Sequence, residues 1–520
     1  MRKSSMNLRP ILPLLLCGVL LAASSIGGSH SAAAFGMFGF GRGGFGRPAF
    51  GGGPLRRPPP RLGGGRVAGR PPGGSGPRAG LGDGGPSRHH GIGGGIVGGG
   101  GVVGGGGPDR GGNNGRGGVP PQGDQPFAAD EIITAFAPGT TPQAIDRVAR
   151  RYDLTQLETQ NFPLIGSGLY RWRIGGGRTV VNVVRALGSE NIVASVQPNY
   201  FFTLQDQIAK SPAANSPAAR SPAANSPVGT PGDAAQYVLA KLQIEQAQQI
   251  ATGKTVLIAV IDSEIDVKHP DLDGTVVKSF DAIGGGENPH PHGTSIAGAI
   301  ASHGKLLGIA PGAQLLAVHA FDDTPGAAKG TSFAIYKGLQ WAADNNARIV
   351  NMSFAGPADP TLQRMLAAAY AKGIVLVAAA GNAGPQSEPL YPAADPNVIA
   401  VTATDGNDQL FKMANRGRYI AVAAPGVDIL GLAPGDAYEV TTGTSIAAAH
   451  VSGLAALLLE RKPSLTPSEI RSVLMITARP LGPTRPDSDF GAGLVNAYRA
   501  VMWLDRTPAG PNDGGGQAKQ

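Results

Sequence analysis

The 520-residue sequence predicts an α/β protein: a parallel sheet with helices on both faces, preceded by a small α+β unit. Three observations carry this. From about Gly232 onward, five short runs are apolar without alternation, as strands buried on both faces are. They are Val256–Ile261, Leu315–Phe321, Ile349–Phe354, Ile374–Ala379 and Val398–Ala403. Helical stretches such as Ser332–Asn345 and Leu362–Ala371 separate them. Residues 127–206 instead carry the order β-α-β-β-α-β within about 80 residues, the pattern of a ferredoxin-like sandwich.

The elements follow from the N-terminus. Arg2, Lys3 and Arg9 precede an apolar run, Ile11 to Ala23, and Ala32-Ala33-Ala34 offers a small-residue cleavage site, so 1–34 is predicted to be a signal peptide. The run is short for a bilayer span, and no later segment has the length of one. Cys17 is the single cysteine and would leave with the signal, so the exported protein would hold no disulfide. Residues 36–126 hold 38 of the 81 glycines and 13 of the 44 prolines, with 11 Arg against 3 Asp. Ordering so much glycine costs more entropy than its sparse apolar surface offsets, so 35–126 is expected to be disordered. The whole chain carries +8, but residues 127–520 carry 30 basic and 33 acidic residues. The basic balance therefore belongs to the leader and the glycine-rich segment, and the folded part is not expected to bind nucleic acid.

In the 127–206 unit, Glu131–Ala137 alternates like a strand. Thr141–Tyr152 reads as a helix with Thr141 as cap and Pro142 in the first turn. Leu157–Phe162 and Leu169–Ile174 read as strands, Arg178–Leu187 as a helix and Ile192–Phe202 as extended. Three tandem SPAAx units then span 211–225, so 207–231 is expected to be an extended linker. Residues 232–505 form the large domain, and 506–520 form a polar tail.

Three segments of the large domain carry chemistry. Val260-Ile261-Asp262-Ser263 sets a carboxylate at the C-terminal end of the first buried strand, the edge where open α/β sheets build their sites. His292-Gly293-Thr294-Ser295 opens a helix of small residues. Gly443-Thr444-Ser445-Ile446 places a hydroxyl where a loop becomes a helix that is apolar nearly all round to Leu459, hence buried, with its free N–H groups aimed at Ser445. An acid, an imidazole and a hydroxyl suit acyl transfer: the imidazole takes the hydroxyl proton, and the carboxylate orients and stabilises the imidazolium.

In this order and context, Asp262, His292 and Ser445 resemble the catalytic residues of the subtilisin family of serine peptidases. His269-Pro270-Asp271-Leu272, Gly308-Ile309-Ala310-Pro311, Asn351-Met352-Ser353-Phe354 and Ala379-Ala380-Gly381-Asn382 match further family motifs, over roughly Gly232 to Leu504. The resemblance implies a subtilisin-like fold and peptide-bond hydrolysis without a cofactor or metal. It assigns Ser445 as nucleophile, His292 as general base and acid, and Asp262 as its orienter. Asn382 and the Ser445 N–H would form the oxyanion hole. Ser353, Phe354 and Ala355, with Ala379, Ala380 and Gly381, would flank a protein or peptide substrate paired as an added strand.

The sequence departs from the family pattern at several positions. Glu264 stands where glycine is usual, Ser295 where a histidine is, and Ala449 where a proline is. Ala355 and Leu390 narrow the first specificity pocket, which is then expected to favour small side chains. The Ser302–Leu307 loop is too short for the calcium-binding loop of some members, and Asn288-Pro289-His290-Pro291 reads as a turn rather than a metal site. Residues 127–206 resemble subtilase inhibitor prodomains, which implies a zymogen inhibited by its own leader, with the SPAAx linker as processing zone. Two rival readings follow from the same residues: a catalytically silent binding protein, on Glu264 and Ala355, and a surface or polyanion binder acting through 36–126.

Overall fold

The computed structural model describes residues 126–205, 233, 235–285, 288–322 and 328–506. The expectations for 1–34, 35–126, 207–231 and 506–520 lie outside these residues, apart from the end positions 126 and 506.

The first elements are β1 (Phe127–Phe136), α1 (Pro142–Tyr152), β2 (Leu154–Phe162), β3 (Ser167–Ile174), α2 (Val180–Leu187) and β4 (Val193–Leu204). Thr141 caps α1 through the Ala144 N–H with Pro142 in its first turn, and Thr179 caps α2 the same way through Asn182. The strands lie in the order β4-β1-β3-β2, each pair antiparallel. The helices bury Ile145 and Val148, and Val180, Val183, Val184 and Leu187, beneath the sheet.

The large domain continues with α3 (Tyr237–Leu242), α4 (Ile244–Gln248), β5 (Leu257–Asp262), β6 (Val276–Asp281), α5 (Pro291–Ala301), β7 (Gln314–His319), β8 (Lys329–Thr331), α6 (Ser332–Asp344), β9 (Ile349–Met352), β10 (Phe354–Ala355) and α7 (Pro360–Ala371). Then come β11 (Val375–Ala379), β12 (Val398–Thr404), β13 (Ile420–Pro425), β14 (Ile429–Ala433), β15 (Ala437–Thr441), α8 (Thr444–Arg461), α9 (Pro467–Thr477) and α10 (Ala497–Trp503). Seven strands form one parallel sheet in the order β13-β12-β11-β9-β5-β7-β6, as expected of its apolar runs. Both faces are buried: Ile258 and Val260 of β5 face the α8 side, whereas Ala259 and Ile261 face the α6 and α7 side. Helix α8 is buried from Thr444 to Leu459, which its all-round apolar sequence requires.

The five expected strands are present, and the structure adds two, β6 and β13, at the two edges of the sheet. Strand β6 is mostly exposed, so its sequence lacks the continuous apolar run of a central strand. The small domain is joined to the large one by more than the chain. Beyond Pro198, β4 runs on to pair antiparallel with β8 on one side and β10 on the other. Phe162 packs edge-on against Phe333 and Tyr336 of α6, and its burial is worth roughly 1.5–3 kcal/mol.

Candidate active site

Asp262 ends β5 at the C-terminal edge of the sheet, and its side chain is fully buried. Helix α5 brings His292 to it: His292 Nδ1 lies 2.6 Å from Asp262 Oδ1. The same carboxylate oxygen accepts from the Ser263 N–H at 2.8 Å and from Ser263 Oγ at 3.1 Å. Three donors on one oxygen fix the carboxylate, and with it the rotamer of the imidazole. The residue in question among the departures, Glu264, turns its carboxylate to the Asn288 N–H at 2.6 Å, so it caps the loop that leads into α5.

Ser445 is the second residue of α8, after the extended Gly443. Its Oγ lies 2.9 Å from the carbonyl oxygen of Gln205, the residue that follows β4. Asn382 lies two residues beyond Ala380 at the end of the β11 segment, and its Nδ2 donates to the same Gln205 oxygen at 2.6 Å. The Asn382 amide is oriented from behind. Its Oδ1 accepts from Thr444 N–H at 3.1 Å and Thr444 Oγ1 at 2.8 Å, so Nδ2 must face Gln205. Gly381 turns the chain into this position with φ near +111°, and a Cβ there would stand 2.7 Å from Asn415 Nδ2. Leu390 borders the same point, 3.1 Å from that Cβ.

Segment 201–205 lies between two edges. Phe201, Phe202 and Thr203 pair with Thr331, Gly330 and Lys329, and Thr203 and Leu204 pair with Ala355 and Phe354. Gln205 N–H donates to the Ser353 carbonyl at 3.3 Å. Ser353 Oγ donates to the Ser445 carbonyl at 3.0 Å, which ties the turn between β9 and β10 to the first turn of α8. The Gln205 side chain accepts from Asn382 N–H through Oε1 at 2.7 Å and turns Nε2 back to the Thr203 carbonyl at 3.2 Å. Phe202, three residues before Gln205, is fully buried, with its ring edge-on to Phe354. Gly356 leaves room for that ring: a Cβ there would sit 2.4 Å from Phe202 Cδ1.

Of the residues singled out in the sequence, Asp262 and His292 meet directly, and Ser445, Asn382, Ser353, Phe354 and Ala355 meet around the 203–205 backbone. Gly381 shapes the turn, its N–H donating to Thr444 Oγ1 at 3.1 Å. Ala379 and Ala380 are instead spent on the sheet, pairing with β12 through Val401. Three participants were given no role from sequence: Thr444, the β8 edge and Gln205. Thr444 was legible as the neighbour of Ser445. The β8 edge is three residues long and has no pattern of its own.

Among the described residues, no group of three or more His, Cys, Asp or Glu is placed to hold a metal. Asp271, which follows the His269-Pro270 turn, holds the short Ser302–Leu307 loop itself: Oδ2 accepts from Leu306 N–H at 2.7 Å and Oδ1 from Tyr438 OH at 3.2 Å. Gln236 completes the stitch, accepting from Leu307 N–H at 2.9 Å and donating to the Leu307 carbonyl at 3.1 Å. These oxygens are already committed to protein donors and do not form an open cation cage.

Residues 253–493 match the subtilase family (Peptidase_S8). The chain is 40% identical over 262 residues to subtilisin E of Bacillus subtilis (strain 168), covering 48% of this chain and 67% of that protein. It is 37% identical over 286 residues to thermitase of Thermoactinomyces vulgaris, covering 53% of this chain and all of that protein. In structure it is similar to fervidolysin from Fervidobacterium pennivorans, described as a keratinolytic enzyme related to subtilisin. That match has a TM-score of 0.60 at 25% identity, over 74% of this chain and 62% of fervidolysin. The chain belongs to the subtilase family of serine endopeptidases.

Proposed function

We propose that this chain is an exported serine endopeptidase made as a zymogen, with Asp262, His292 and Ser445 as its triad and residues 127–205 as its intramolecular inhibitor. The observation that carries the reading is the Gln205 carbonyl, held between Ser445 Oγ at 2.9 Å and Asn382 Nδ2 at 2.6 Å by a strand paired on both sides. Export rests on the charged and apolar pattern of residues 1–34, and no described helix is long and apolar enough to cross a membrane.

Ser445 Oγ attacks the carbonyl carbon of the residue in the Gln205 position while its proton passes to the His292 imidazole. The negative charge that develops on the carbonyl oxygen is met by Asn382 Nδ2 and the Ser445 N–H. His292 then gives its proton to the leaving amine, the C–N bond breaks, and an acyl-enzyme remains for water to hydrolyse. Asp262 holds the imidazole in register and stabilises its charged form throughout.

The first substrate is the chain itself, cut between Gln205 and Asp206, which lies upstream of the SPAAx repeats rather than within them. The same subsites define the external substrate: an extended protein or peptide segment, with glutamine accepted before the scissile bond beside the small side chains expected there, and an aromatic side chain three residues earlier, where Phe202 lies. A fluorophosphonate probe tests the chemistry. Labelling of the processed protein that is lost in Ser445→Ala and strongly reduced in His292→Ala supports the peptidase reading. Labelling absent from the unmutated protein would favour a catalytically silent binding protein.

A further inference from the structure

We infer that His290 is a positioning residue for the Asp262–His292 pair, acting through Ser263 and through the first turn of α5. The inference deepens the peptidase reading and rests on it.

His290 is the N-cap residue of α5, with extended backbone, and its Nδ1 accepts from the His292 N–H at 3.1 Å. An aromatic ring nitrogen here does the work usually done by a Ser, Asp or Asn oxygen. The same Nδ1 lies 3.2 Å from Ser263 Oγ. Ser263 Oγ in turn accepts from Gly293 N–H at 3.0 Å and lies 3.1 Å from Asp262 Oδ1. One continuous set of contacts thus runs from His290 through Ser263 to the carboxylate that orients His292, and a second runs from His290 straight to the His292 backbone.

The protonation state of His290 decides how these contacts are filled. Capping requires an acceptor at Nδ1, so the ring must be neutral with its proton on Nε2. The Ser263 hydroxyl then has two acceptors within reach, His290 Nδ1 and Asp262 Oδ1. Protonation converts Nδ1 into a donor. It then opposes the His292 N–H and donates to Ser263 Oγ, whose hydroxyl is left with Asp262 Oδ1 alone to donate to. The carboxylate keeps the bond it already has from Ser263, but a second positive charge arises beside the imidazolium. Among the described residues, the ionisable groups linked to the ring by the contacts above are Asp262 on β5, Glu264 just beyond it, and His292 on α5. Glu264 is engaged by Asn288 N–H, and its carbonyl accepts from His290 N–H at 2.8 Å. His290 is partly exposed and so open to protonation, whereas Ser263 and Asp262 are buried.

Two measurements test this. In full-length Ser445→Ala protein, the low-field proton resonance of His292 Nδ1–H should titrate in two steps, and in one step when His290→Asn is added. Asn keeps a capping acceptor and removes the ionisation. In the processed enzyme, the acid limb of kcat/KM on an N-blocked peptide without ionisable side chains should follow two protons, and one proton in His290→Asn. His290→Ala should also show the one-proton limb but a plateau several-fold below that of His290→Asn, because the cap is lost. Identical limbs and identical resonance titrations with and without His290 would overturn the proposal. Equal plateaus for the Asn and Ala variants would overturn its capping half. A two-step resonance titration in Ser445→Ala, together with no fluorophosphonate labelling of the unmutated protein, would sink the peptidase reading and leave this one standing.

Discussion

Gln205 and Asn382 face each other through two hydrogen bonds. The Asn382 side-chain amide donates to the Gln205 carbonyl at 2.6 Å, and its backbone N–H donates to the Gln205 side chain at 2.7 Å. One residue therefore touches both the carbonyl where charge would develop and the side chain that would be read.

The first bond predicts a kinetic signature. Asn382→Ala should lower kcat on a peptide substrate by about 100- to 1000-fold and leave KM nearly unchanged. That range is already known for the matching donor of the related subtilisins and is not read from this structure. Steady-state kinetics on the processed enzyme checks it. An equal rise in KM with constant kcat would mean that Asn382 only binds.

The position of Gln205 predicts where the chain is cut. Mass spectrometry of the active product should find an N-terminus at Asp206 or, after trimming, between it and Gln236. Gln236 is needed to hold Leu307. Ser445→Ala should keep residues 127–205 attached. Normal cleavage in that variant would show that another peptidase does the processing.

Gly356 predicts a change of specificity. In Gly356→Ala the added methyl would press on an aromatic ring in the position of Phe202, at a cost of roughly 1–3 kcal/mol, or about 5- to 150-fold in kcat/KM. Peptides with Phe three residues before the cleaved-bond residue should lose that factor, and peptides with Ala there should lose little.

His450 predicts a pH dependence of stability. It is buried in α8 with Nδ1 3.0 Å from the Pro425 carbonyl, and burial pushes its pKa down to about 4. Above pH 6.5 both folded and unfolded forms hold it neutral, so it contributes no pH dependence. Between pH 6.5 and 4 the unfolded chain takes up a proton that the folded chain refuses, so stability falls with pH, by up to roughly 3 kcal/mol. Chemical denaturation of Ser445→Ala protein, which cannot digest itself, should show this slope, and His450→Gln should flatten it.

The sequence and the structure part company in instructive places. Asp262, His292, Ser445 and Asn382 were legible because each sits at a sheet edge or helix start whose local pattern is strong: a continuous apolar strand, a small-residue helix, an all-apolar helix. Gln205 was not, because its place depends on pairing. Ile192–Phe202 reads as extended from composition, but the strand continues to Leu204 through its contacts with β8 and β10. Ala379 and Ala380 matched a motif that borders the site, yet their own backbone groups belong to the sheet. Strand β6 was invisible for the opposite reason: an edge strand open to solvent needs no apolar run.

The pairing of residues 201–204 has a consequence for how activity would switch on. If residues 127–205 act as the proposed inhibitor, then while the Gln205–Asp206 bond is whole inhibitor and active site belong to one molecule, their encounter would not depend on protein concentration, and the first cut would proceed at the same rate in a dilute or a crowded sample. Once that bond were broken, the leader would become an ordinary ligand whose hold weakens as the sample is diluted. Dilution alone would then shorten the lag before activity appears, so the volume into which the protein was released would set its timing.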